Sequence, residues 1–72
     1  MEFIAYGKIA DMVAEYGAHD MGKEWFAQYG YRYASLIIGD AQYDTSYYRT
    51  LAEAKEDVAY TCRACGIKAT RV

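Results

Sequence analysis

The sequence predicts an α+β domain with the element order α-β-β-β-α: a three-stranded antiparallel sheet with two helices packed on one face. Three observations carry this. An apolar stripe at helical spacing opens the chain, runs rich in β-branched and aromatic residues fill its middle, and a capped helical pattern follows Thr50.

The first helix is predicted over 4–16. Ile9, Met12, Val13 and Tyr16 fall at i, i+3, i+4 and i+7 and make one apolar face, which Ile4 and Ala5 extend upstream. Gly17 is placed to end this helix as a C-cap, and 18–23 read as a loop. A first strand is expected over 24–29, where Trp25 and Phe26 supply β propensity, with a turn at Gly30. The second strand covers 31–38, with Ala34, Leu36 and Ile38 on one side and Tyr33, Ser35 and Ile37 on the other. Gly39-Asp40 suits a tight hairpin turn, and the third strand follows over 42–48 with Tyr43, Thr45 and Tyr47 sharing a face. Thr50 with Glu53 three residues on forms a capping box for the second helix, which runs to about Cys65 and stops at Gly66. Ala54, Val58, Cys62 and Cys65 form its expected apolar seam. One domain spans 1–72, structured over about 4–67, with 68–72 a tail; the abrupt end after Arg71-Val72 suggests a domain of something longer.

Composition narrows the function. A chain of 72 residues buries only a modest core, and 54% hydrophobic residues suffice for it to be globular. Nine tyrosines suit half-buried sheets and contact surfaces. Eight Lys and Arg stand against ten Asp and Glu, for a net charge of −2, and the cations are scattered along the chain, which argues against a strong duplex nucleic acid footprint. The longest apolar run, Leu36-Ile37-Ile38, is too short to span a membrane. No signal peptide is legible, so the default expectation is an intracellular protein, cytoplasmic or nuclear.

The stretch Thr50-Leu51-Ala52-Glu53-Ala54-Lys55, followed by Val58, Ala59 and Cys62, resembles the start of the last helix of a double-stranded RNA-binding domain. That family has Ser or Thr, two lysines, any residue, Ala, Lys, then small apolar residues. Thr50, Ala54, Lys55 and Ala59 match; Leu51 and Ala52 stand where the two lysines would be. Gly39 matches the family's turn glycine, Tyr43 its third-strand aromatic, and Asp11 lies near a first-helix Glu position. The resemblance implies the α-β-β-β-α fold and RNA contact through the first helix, the loop between the first two strands, and the lysine cluster. Here that loop, Gln28-Tyr29-Gly30-Tyr31, is short and lacks Pro and His. Each lost phosphate contact lowers the logarithmic salt slope by roughly 0.7–0.9.

The resemblance therefore implies a degenerate member that mediates protein–protein interaction or dimerisation in an RNA-processing or silencing complex. Tyr33, Ile37, Thr45 and Tyr47 are expected on an outer sheet face, and Leu51 either exposes an apolar side chain or tucks against the sheet end. The third strand is a potential edge protected only by Asp44. The alternative is double-stranded RNA binding through Lys8, Asp11, Arg49 and Lys55.

Other chemistry is not expected. Cys62-Arg63-Ala64-Cys65 is a CxxC, but a closed zinc site needs four ligands and a redox pair belongs at a helix N-terminus, so packing is its expected role. His19 reads as a loop residue. No catalytic set is legible, and no enzyme activity, cofactor, metal or small-molecule substrate is expected.

Overall fold

A computed structural model of the chain describes residues 2–16, 27–39 and 43–72, the side chains of 43 and 44 excepted. Strand β1 (Phe3–Lys8) runs directly into helix α1 (Ile9–Tyr16). Strands β2 (Tyr33–Ile38) and β3 (Tyr43–Tyr48) form a hairpin, helix α2 (Leu51–Cys65) follows, and strand β4 (Lys68–Arg71) closes the order. The sheet order is β3-β2-β1-β4. β1 pairs antiparallel with β2 and parallel with β4, and β2 pairs antiparallel with β3. The molecule is α+β, and its described residues form a four-stranded mixed sheet.

The helices lie on opposite faces of that sheet. Ala5 pairs with Leu36, Gly7 with Ala34 and Phe3 with Ile38, so these residues share a face. Ile9 and Met12 of α1 complete a buried cluster with Ala5, Ala34 and Leu36, edged by Val13, Tyr16, Tyr47 and Val72. Ser35, between Ala34 and Leu36, points the other way. Its Oγ hydrogen-bonds the Tyr48 hydroxyl at 3.0 Å, and that hydroxyl donates to the Asp57 carboxylate on α2. Ala54 and Val58 of α2 are buried on this second face, as is Ile4. Burying a side chain such as Met12, Leu36 or Ile4 contributes about 1.5–3 kcal/mol.

Several expectations are corrected. Among the described residues, the three-stranded, all-antiparallel sheet with both helices on one face gives way to four mixed strands with α1 on one face and α2 on the other. The chain opens with a strand where 4–16 read as one helix. Phe3 to Lys8 lies between two strands, and its neighbours Ile4 and Ala5 are both buried, so it shows an apolar run instead of alternation. Gly7 is a poor helix former, and the helical stripe is real only from Ile9. The strand expected at 24–29 fails at its described end: 27–28 are helical, and Gly30, at φ 89°, donates to the Ala27 carbonyl at 3.1 Å to close a turn. Residues 68–71 form β4 instead of a tail. They are exposed and too few to show a periodicity, but α2 returns the chain so that Lys68 to Arg71 lie beside Phe3 to Tyr6. The two-residue turn at Gly39-Asp40 is longer, because Ile38 pairs with Tyr43 and the connection spans 39–42. Gly17, the 18–23 loop, His19, Trp25, Phe26 and Asp40 lie outside the described residues.

The second helix matches its reading at both ends. Thr50 Oγ1 accepts the Glu53 amide at 3.1 Å. Gly66 takes the left-handed conformation at φ 69°, and its N–H reaches the Cys62 carbonyl at 2.8 Å. The seam is shorter than expected: Ala54 and Val58 are buried, Cys62 is half-buried and Cys65 is exposed. Both thiols are free.

Candidate functional site

The sheet ends in two unlike edges. β4 carries Lys68 and Arg71 within four residues, and charges of this kind blunt a strand edge against further pairing. β3 has three tyrosines and a threonine among its six residues, a single charge in Asp44, and no proline. Among the described residues, no strand pairs with the outer side of β3.

An open groove of about 600 Å³ runs between β3 and α2, lined by Ser46, Tyr48, Glu53, Glu56, Asp57, Tyr60 and Arg63. Its floor is fixed by the Ser35–Tyr48–Asp57 hydrogen-bond chain, which reaches from the second strand to the helix. Burial first, and then the hydrogen bond to Asp57, hold the Tyr48 hydroxyl above the usual tyrosine range, so it remains a donor to that carboxylate. Glu53 and Glu56 are exposed on the wall beside it. Tyr60 stands 64% exposed, a large aromatic open to solvent at the groove. The groove is thus acidic at the start of α2 and turns basic only at Arg63. That residue lies ten positions beyond Glu53, or about 15 Å along the helix.

The interaction residues expected from sequence do not form one patch. Tyr33 and Ile37 lie on the α2 face of the sheet, since they share the parity of Ser35. Thr45 and Tyr47 pair with Leu36 and Ala34 and lie on the α1 face, where Tyr47 packs against the core. Burial raises the Tyr47 hydroxyl pKa as well. Leu51 is half-buried at the start of α2. With a helix on each side, neither face is the open surface that the sequence reading required.

Two of the expected RNA-binding residues do come to one end of the sheet. Lys8 is paired with Tyr33, Tyr33 with Tyr48, and Arg49 follows directly. The Arg49 guanidinium stacks over the Tyr31 ring at 4.4 Å from its centroid. Arg32 joins them, spending part of its guanidinium on the Ala27 and Tyr31 carbonyls at 3.0 and 3.2 Å. A recess of about 550 Å³ at this end is lined by Lys8, Ile9, Ala10, Ala27, Tyr31, Arg32 and Tyr33. Asp11 is exposed in the first turn of α1, and Lys55 is exposed on α2.

Sequence reasoning missed Arg32, Tyr60 and the Ser35–Tyr48–Asp57 chain. A polar Ser35 inside the apolar run Ala34 to Ile38 was the available signal, since a buried hydroxyl needs a partner. Comparison with protein-family models, with curated proteins and with solved structures gave no significant match. Among the described residues, no helix is long and apolar enough to cross a membrane.

Proposed function

We propose that this chain is a protein-interaction module that takes up an extended segment of a partner along the outer edge of β3. The observation that supports this is the contrast between the edges: β4 is guarded by two cations, while β3 presents a β-prone strand with one charge and a groove beside it. Strand addition draws affinity from main-chain hydrogen bonds and specificity from alternate side chains. Its place in an RNA-processing or silencing complex rests on the resemblance of residues 50–62 alone, because the element order departs from that family's. The test is selection of short peptides from a random display library against the isotope-labelled chain. Selected peptides are expected to slow hydrogen exchange at β3 amides and leave β4 amides unchanged. Peptides that bind without slowing β3 exchange would contradict the reading.

A second reading, nucleic acid contact, is favoured by the convergence of Lys8, Arg32 and Arg49 around Tyr31 and Tyr33. It predicts that a labelled RNA duplex of about 20 base pairs binds at low salt. Affinity falls as salt rises, and Lys8→Ala with Arg49→Ala weakens it further. No binding at low salt would end that reading.

A further inference from the structure

We infer that the segment accepted by β3 is basic, with Lys or Arg at alternate positions on the side that faces α2. The inference rests on the strand-uptake reading above and adds the chemistry of the occupant.

Side chains alternate across a strand, so a segment laid along β3 presents every second residue on the side of Ser46 and Tyr48. Those residues enter the groove whose wall carries Glu53, Glu56 and Asp57. Asp57 is already engaged by the Tyr48 hydroxyl, so the exposed Glu53 and Glu56 are the carboxylates left to meet a cation. No salt bridge to Glu53 or Glu56 occurs among the described residues. Tyr60, open to solvent on the same wall, offers a ring face to an alkylammonium or guanidinium group. The same charges disfavour a second copy: two chains joined at β3 by a two-fold axis normal to the sheet would set their α2 helices on the same side, acidic wall towards acidic wall. Arg63 at the far end of the groove orients the choice further. The cations belong at the half beside Tyr48 and Glu53, not at the half beside Arg63.

The experiment uses the full chain and three peptides of roughly eight residues: alternating Val and Lys, and the same with Ser or with Glu in place of Lys. Affinity is measured by titration calorimetry and position by hydrogen exchange. The Lys peptide is expected to slow β3 amide exchange and to bind about tenfold more tightly than the Ser peptide, an advantage that added salt erodes. Glu53→Gln with Glu56→Gln keeps side-chain size and the Thr50 cap, and is expected to make the Lys and Ser peptides bind alike. Equal binding of the Lys and Ser peptides to the unaltered chain, with β3 exchange slowed by both, would overturn the charge inference and leave strand uptake standing. Failure of all three to slow β3 exchange would overturn both. Concentration-dependent slowing at β3 in the chain alone would assign the edge to a second copy, and would also overturn it.

Discussion

The two faces of the sheet are built by different means. Under α1 the contact is apolar throughout: Ala5, Ile9, Met12, Ala34 and Leu36 interlock with no polar atom to satisfy. Under α2 the apolar contact is thin, Ala54 and Val58 with Ile4, and a hydrogen-bond chain through Ser35, Tyr48 and Asp57 supplies the rest. The difference teaches where each kind of specification acts. Volume holds the α1 face together, whereas polar geometry on the α2 face fixes how the helix stands beside β3, and therefore shapes the groove between them.

The comparison breaks first at Met12. Met12→Ala removes a fully buried side chain from the α1 face and is expected to cost about 2–5 kcal/mol, enough to unfold much of a domain this small. Urea denaturation followed by circular dichroism measures it. Tyr48→Phe leaves the ring but removes the shared hydroxyl, stranding Ser35 and releasing Asp57. The expected cost is about 1–3 kcal/mol with the fold retained and the β3 groove loosened. If Tyr48→Phe cost more than Met12→Ala, the assignment of volume to one face and polar geometry to the other would fail.

A pH series sharpens the same contrast. The hydroxyls of Tyr48 and Tyr47 are raised by burial, and Tyr48 also by its bond to Asp57. The unfolded chain releases these protons near pH ~10, while the folded chain holds them. Their contribution is therefore fully present below about pH 10 and is lost as the pH rises through the folded values. Urea midpoints should fall as the pH passes about 10, and should fall less in Tyr48→Phe. The smallest effects belong to the ends of α2. Thr50→Ala removes the cap on the Glu53 amide, and Gly66→Ala forces a side chain into the left-handed conformation, each for about 1 kcal/mol. Both changes are read as shifts in thermal midpoint.

Local signals were legible wherever they were self-contained. The helical stripe Ile9 to Tyr16, the alternation in β2, the Thr50 cap and the Gly66 stop all appear in the structure at the residues that carried them. What was not legible depends on partners distant in sequence. Phe3 to Lys8 is a strand because β2 and β4 flank it, and burial on both sides erased the alternation that marks a one-sided strand. Lys68 to Arg71 is a strand only because α2 delivers it to β1. The site followed the same rule. That β3, if an edge, would be weakly protected was readable from its lack of Pro and its one charge, but a patch of Tyr33, Ile37, Thr45 and Tyr47 was not possible once pairing put them on two faces. The acidic wall beside β3 depends on where α2 lies, which no spacing in the sequence encodes.

The measurement that tests the central claim most directly is amide hydrogen exchange, by nuclear magnetic resonance, on the chain alone at low and high concentration. An open β3 edge predicts slow exchange along β2, whose amides are bonded on both sides, and fast exchange at those β3 amides that point away from β2, unchanged by concentration. Uniformly slow exchange along all of β3 in the dilute chain would mean that its outer side is already covered, and would contradict the account.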